Sequence, residues 1–286
     1  MRDPRNTLIA SLAAVLAFGL AAMAQMPKTQ PEANGENSKW MYNGRNRVEG
    51  SGGPAPVRDL SGTWAGPRSG AGVPDFRNGD TPSLTPAGQK LFGANKSLSK
   101  FSPAGTNDPF VRTCDPLGFP RAEVDEIRGI SFATMPNRIV VLYQFQQAWR
   151  EIWMDGRELP KNVGGSEKGA PDPRYFGYSV GRWENDNTLV VDTTGLDDRS
   201  WLDRDGHPHT VQGHVQERFT RTDHNDLQVT ITVNDPQIYN QPFSLGTVYF
   251  KWIPNQLFDE KLCIPSETIE YLKSVGDPAG ENRSGK

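Results

Sequence analysis

The stretch Leu227-Gln228-Val229-Thr230-Ile231-Thr232-Val233-Asn234 alternates apolar and polar side chains at every position. Successive side chains of a β-strand point to opposite faces, so the apolar residues of this stretch share one face and the polar residues share the other. A strand with one buried and one solvated face is typical of an antiparallel sheet. The stretch therefore predicts a strand that packs one face against a core.

The chain on both sides of this stretch is rich in β-branched and aromatic residues that fall into short segments. The predicted strands are residues 138–146, 149–154, 175–183, 188–194, 215–221, 227–234 and 247–253. Turn-forming residues at 184–187 and 223–226 predict two hairpins, and Asp155-Gly156 predicts a further turn. Seven or eight strands without helices between them predict a mostly β protein, an antiparallel lipocalin-like β-barrel or a sandwich.

The half of the chain before these strands is rich in glycine and proline. Thr85-Pro86 predicts the start of a helix within it, with Thr85 as N-cap and Pro86 at the first helical position. The predicted fold is therefore a barrel or sandwich with an elaborated N-terminal half.

Residues 1–24 have the three parts of a secretory signal peptide. Arg2 and Arg5 form a basic start, an apolar run follows from Leu8 to Met23, and Ala22-Met23-Ala24 is a small-x-small cleavage site. The apolar run is shorter than the roughly 20 residues that span a bilayer, so cleavage is expected instead of anchoring. We expect a periplasmic or secreted protein whose mature chain begins at Gln25 and has no membrane span.

The remaining boundaries follow from composition. We expect a flexible N-terminal arm over residues 25–57, a β-barrel-like domain over residues 58–273 and a disordered tail over residues 274–286. The net charge of −3 and the lack of a basic cluster argue against nucleic acid as a partner. The oligomeric state is left open.

A short motif and a longer series resemble known proteins. Asp-Leu-Ser-Gly-Thr-Trp at 59–64 resembles the Gly-x-Trp first strand of lipocalin-like barrels, in which the Trp plugs one end. The segments at 114–121, 149–157, 177–183, 188–193 and 201–209, followed by Glu217-Arg218, together resemble an uncharacterised family of secreted β-rich bacterial proteins. The resemblance covers about residues 59–263 and implies export and a β-rich fold, without an activity.

Residues 197–218 contain the densest polar cluster and three of the four histidines. His209 and His214 are candidate acid/base groups, with Asp203 and Glu217 as candidate carboxylate partners, because a histidine beside a carboxylate can move protons near neutral pH. Pro208 and the preceding Asp-Gly favour a loop over the extended His-x-His arrangement of a metal site, so no metal is predicted.

Aromatic side chains concentrate between residues 149 and 201, interleaved with arginines. They predict either an ordinary β core or a pocket for a flat or amphiphilic molecule, and a barrel of about eight strands can enclose one such ligand. The candidate ligand-binding residues are Trp149, Trp153, Tyr178, Arg182, Trp183 and Trp201.

Cys114 and Cys263 form no C-x-x-C pair, so they are either one long-range disulfide or two buried thiols. Neither a P-loop nor a dinucleotide-binding glycine motif occurs, so no cofactor is predicted.

Three functions remain open from the sequence. The first is an exported protein that binds a small hydrophobic or aromatic molecule. The second is an acid/base enzyme, namely a hydrolase, lyase or isomerase, built on the histidine cluster beside an aromatic pocket. The third is an interaction protein of the cell envelope. Convergence of the histidines and carboxylates inside an aromatic-lined cavity would favour the enzyme, and a cavity with the histidines outside would favour the binding protein.

Overall fold

In the part of the chain that the structure describes, nine β-strands form a closed barrel in which each strand pairs with its neighbours in the chain. The computed structural model describes residues 50–66, 82–124, 129–254, 258 and 260–278. The strands are β1 Gly62–Ala65, β2 Gly129–Met135, β3 Arg138–Tyr143, β4 Trp149–Trp153, β5 Tyr178–Trp183, β6 Thr188–Thr194, β7 His214–Arg221, β8 Asp226–Asn234 and β9 Phe243–Trp252. Pairing of Trp64 in β1 with Trp252 in β9 closes the ring. The prediction of a mostly β, lipocalin-like barrel is confirmed.

The pairing differs from the prediction in one place. Every neighbouring pair is antiparallel except β4 and β5, which run parallel through Ile152–Ser179 and Trp153–Val180. Parallel neighbours cannot be joined by a tight turn, so residues 154–177 form a crossover connection, and the predicted turn at Asp155-Gly156 falls inside it. Strand β2 also lies outside the predicted segments, and its pairing with both β1 and β3 holds it in the sheet.

Period-two burial defines the barrel interior. In β8, Leu227, Val229, Ile231 and Val233 are each no more than 1% exposed, while the residues between them are half-buried. Strand β7 alternates in the same way, and its buried residues are Val215, Glu217, Phe219 and Arg221. The alternation that predicted β8 is therefore confirmed, and it places a carboxyl group inside the barrel.

Tight turns and a buried tryptophan mark one end of the barrel. Trp64 is fully buried and donates from its indole nitrogen to the Leu60 carbonyl at 3.0 Å. The Arg221 guanidinium lies 4.8 Å from the centre of the Trp64 ring and donates to the carbonyls of Asp59 and His224. Because the arginine is stacked and hydrogen-bonded, its burial leaves the charge solvated by protein groups.

Long connections and short helices gather at the other end. These helices are α1 Pro86–Ala94, α2 Pro109–Thr113 and α3 Arg121–Val124. All four residues of α3 are buried, and the fully buried Phe119 precedes it. This segment brings Glu123 into contact with the barrel side chains Tyr143 and Arg150. The Thr85 hydroxyl accepts from the Gly88 N–H at 3.1 Å, which confirms the predicted helix start.

Cys114 and Cys263 form a disulfide with their Cα atoms 5.5 Å apart. The bond joins the end of α2 to the chain just before helix α4 Pro265–Tyr271. A π-helical turn, Leu272–Gly276, continues α4, and Asp277 pairs with Arg112 at 2.7 Å. The predicted disordered tail begins at residue 274, and in the structure residues 274–276 belong to this helical turn, between the buried Leu272 and the Arg112–Asp277 ion pair.

The last residues of the predicted N-terminal arm form hydrogen bonds with the barrel. The carbonyls of Ser51 and Gly53 accept from the backbone N–H groups of Asn225 and His224 at 2.9 Å, and Lys251 donates to the Gly50 carbonyl at 3.0 Å. These bonds attach residues 50–53 to the turn between β7 and β8 and to β9. The predicted signal peptide and the arm up to residue 49 lie outside the described residues. Among the described helices, none has both the length and the apolar character that a membrane crossing requires.

Candidate ligand-binding site

A cavity of about 560 Å³ opens on the outer face of the barrel, where β4 and β5 run side by side. Burial alternates along β4. Arg150 and Ile152 are buried, while Trp149, Glu151 and Trp153 are exposed or half-buried. The period of two thus turns both tryptophans outward. This face of β4 lines the cavity together with Tyr178 and Val180 of β5.

The crossover connection supplies the opposite walls. Residues 157–160 and 174–177 line the cavity, so the connection forced by the parallel strands also shapes the pocket. Gly177, immediately before β5, has a φ of +60°, and a Cβ on this residue would lie 2.6 Å from the Thr194 carbonyl oxygen. Only glycine combines this left-handed backbone with so close an approach.

Two arginines stack on the aromatic walls. The Arg157 guanidinium lies 3.5 Å from the centre of the Trp153 ring, and the Arg174 guanidinium lies 4.5 Å from the centre of the Tyr178 ring. Tyr175, Phe176 and Trp149 add further aromatic surface, and Trp149 is 61% exposed. Flat apolar surfaces with a few polar groups are the usual lining of a small-molecule site.

Behind the pocket, the Arg150 side chain enters the barrel interior and forms an ion pair. Its Nη2 atom lies 2.7 and 2.6 Å from the two carboxylate oxygens of Glu217 and 3.5 Å from Oε1 of Glu123. The Tyr143 hydroxyl donates to the same Glu123 oxygen at 2.5 Å, and the Phe119 ring lies 4.1 Å from the guanidinium carbon. Arg150 therefore connects the pocket wall to a buried polar cluster of Glu123, Tyr143, Arg150 and Glu217.

Two carboxyl groups face one guanidinium in this buried cluster. Burial raises the pKa of Glu217 well above its usual range, and the nearby Glu123 carboxyl raises it further, while Arg150 opposes both. Burial likewise raises the pKa of Tyr143. A carboxyl pair that retains one proton needs only one cation, which matches the single arginine. Within the described part of the chain, Nε and Nη1 of Arg150 and Oε2 of Glu123 have no hydrogen-bond partner.

The structure places the four predicted acid/base residues with four different partners. His209 is buried and its Nε2 lies 3.1 Å from the Ser200 hydroxyl oxygen. Desolvation lowers the pKa of His209, although a hydrogen bond to the Thr210 carbonyl opposes the shift. His209 is thus held as a neutral ring in a packed loop and does not line the pocket.

The other three predicted residues lie elsewhere in the barrel. His214 is partly exposed and its Nε2 is 3.1 Å from Oδ1 of Asp192. Asp203 pairs with Nδ1 of His207 at 2.6 Å and also accepts from the backbone N–H of His207, which closes a local loop. Glu217 belongs to the buried polar cluster. The structure therefore does not bring the predicted histidines and carboxylates together at one point.

Three of the six predicted ligand-binding residues line the pocket, namely Trp149, Trp153 and Tyr178. Arg182 instead pairs with Asp192 at 2.6 Å, and Trp183 packs against the core. Trp201 is 5% exposed, with the Arg121 guanidinium 5.7 Å from its ring.

The sequence does not predict that Arg150 and Glu123 lie beside Glu217 in the barrel interior. Val215, Glu217 and Phe219 follow the same alternation that defines β8, and that period is the signal that places Glu217 inside. Arg150 alternates in the same way before Ile152. No sequence signal connects them to Glu123, because α3 reaches the interior only through the tertiary fold.

Among the described residues there is no group of three or more His, Cys, Asp or Glu side chains arranged to hold a metal ion. Comparisons of the chain with protein-family models, curated proteins and solved structures find no match.

Proposed function

We propose that this is an exported protein that binds a small hydrophobic or aromatic molecule, and that the ligand occupies the pocket between β4, β5 and the crossover connection. The observation that carries the proposal is the pocket itself, in which Trp149, Trp153 and Tyr178 present aromatic surface to a cavity of about 560 Å³. That volume falls within the range of ordinary small-molecule sites. Export rests on the signal-peptide pattern of residues 1–24.

The placement of the histidines favours binding over acid/base catalysis. No histidine is among the described residues that line the pocket, and His209 is buried against Ser200. A general base must reach the proton it abstracts within hydrogen-bonding distance. The acid/base enzyme therefore has less support than the binding protein.

Titration with the uncharged dye N-phenyl-1-naphthylamine tests the proposal. Saturable fluorescence enhancement with one site per chain is expected, and Trp149→Ala should weaken it by about tenfold, which corresponds to about 1.4 kcal/mol for a lost aromatic contact. Phe101→Ala is the matched control, because Phe101 is also an exposed aromatic residue and does not line the pocket. Absence of saturable binding, or equal weakening by both variants, would contradict the proposal.

A further inference from the structure

The charged side chains of the pocket are almost all neutralised by neighbours. Among the described residues, five such side chains line it, and four of them have an oppositely charged partner. The pairs are Arg150 with Glu217, Glu151 with Arg138, Arg157 with Asp155 and Glu158 with Lys161. The fifth is Arg174, so the local balance of the pocket is one positive charge.

Backbone hydrogen bonds fix the main chain at Arg174. Its N–H donates to the Gly195 carbonyl at 3.0 Å, and its own carbonyl accepts from Gly177 and Asp197 at 2.9 Å. Its guanidinium lies over the Tyr178 ring and, among the described residues, has no carboxylate within ion-pair distance. Stacking on a ring leaves the N–H groups along the edge of the guanidinium plane available to an acceptor.

We propose that the pocket selects aromatic molecules that carry an anionic group, a carboxylate above all, and that Arg174 binds that group. The proposal rests on the proposed function and names its ligand class. The aromatic body lies against Trp149, Trp153 and Tyr178, and the carboxylate accepts from the Arg174 fork. A planar carboxylate matches the guanidinium geometry, whereas a cationic ligand would place a like charge beside Arg174.

Isothermal titration calorimetry with 2-naphthoate and its uncharged amide, 2-naphthamide, separates charge recognition from ring binding. Wild-type protein is expected to bind naphthoate about fivefold more tightly than naphthamide, the size of one partly exposed charge pair. Arg174→Gln should abolish this preference, so that the variant binds naphthoate and naphthamide with equal affinity. Arg182→Gln is the control, because Arg182 is an exposed arginine that follows Tyr178 in β5 but does not line the pocket.

The outcomes distinguish the inference from the proposed function. A naphthoate preference that Arg174→Gln removes and Arg182→Gln retains supports the inference. Equal affinity of wild-type protein for both compounds overturns the inference and leaves the binding function standing. Failure of both compounds to bind overturns the two together. Because only the Arg174 side chain changes while its backbone bonds stay, the variant should fold, and its thermal midpoint provides the check.

Discussion

The Arg150 guanidinium and the Glu217 carboxylate meet inside the barrel, where one nitrogen, Nη2, lies within 2.7 Å of both carboxylate oxygens. Both side chains are no more than 2% exposed. Their strands, β4 and β7, are not neighbours in the sheet, so the contact crosses the interior. The same arginine belongs to the strand whose outer face forms the pocket.

Removal of the cation should destabilise the fold strongly. Arg150→Met leaves Glu123 and Glu217 buried without their guanidinium, and breaking a buried pair in this way costs about 3–5 kcal/mol. The free energy of unfolding from urea titration at pH 7 measures the loss. Glu184→Gln is the control, because Glu184 pairs with Arg218 on the exposed surface and its loss should change stability little. Similar losses of unfolding free energy in both variants would show that the buried Arg150–Glu217 pair contributes no more to stability than an exposed pair.

The raised pKa of Glu217 predicts that stability falls as the pH rises. Below the ordinary pKa of 4.5 the carboxyl is protonated in both folded and unfolded chains. Above that value the unfolded chain releases the proton, while the buried Glu123 and Glu217 carboxyl groups retain one proton between them and the remaining carboxylate faces Arg150, so folding loses up to about 1.4 kcal/mol per pH unit until the folded pKa is reached. Glu217→Gln should have a shallower decline in the free energy of unfolding between pH 5 and 8. A slope equal to that of the wild type would mean that Glu217 is ionised in the fold.

The disulfide should hold the C-terminal helix against the barrel. Cys114 and Cys263 are 149 residues apart, and the chain-entropy model gives about 5 kcal/mol for a loop of that size. The double variant Cys114→Ser/Cys263→Ser should therefore unfold at lower temperature and be cleaved by trypsin near α4 sooner than the barrel strands. Oxidised and reduced wild-type protein are the comparison. An unchanged melting temperature after reduction would count against the bond as a stabilising link.

Gly177 should be required for the shape of the pocket as well as for the stability of the fold. Gly177→Ala places a Cβ 2.6 Å from the Thr194 carbonyl oxygen, so the crossover connection must shift where it lines the cavity. Gly156→Ala has a similar positive φ but meets nothing within 4 Å, which makes it the matched control. Both variants should lose about 1 kcal/mol from the left-handed backbone, and only Gly177→Ala should also weaken N-phenyl-1-naphthylamine binding. Equal affinities of the two variants for N-phenyl-1-naphthylamine would show that the crossover connection at Gly177 does not contribute to the ligand site.

Most of the fold follows from local patterns in the sequence. The alternation in β8 and the turn residues at 184–187 and 223–226 predict hairpins that the structure confirms. The parallel pairing of β4 with β5 does not follow, because Asp155-Gly156 is a local turn signal and the partner strand is chosen more than twenty residues later. The disulfide also depends on a separation in space that spacing along the chain does not supply.

The site is less readable than the fold. Trp153 and Trp183 are both strand tryptophans in the same aromatic region, yet one lines the pocket and the other packs against the core. Which face of a strand each tryptophan occupies depends on the register, and register is set by pairing with neighbours. The predicted acid/base residues within 197–218 are near one another along the chain, and in the structure each of them has a different partner.

The structure of the complex with 2-naphthoate would show where on the barrel an aromatic carboxylate binds. Crystals grown with the compound should show the naphthalene ring against Trp149, Trp153 and Tyr178, with the carboxylate within hydrogen-bonding distance of Arg174. Density for the ring inside the barrel beside Arg150 and Glu217, or on a surface away from β4 and β5, would show that the pocket between β4 and β5 is not the ligand site.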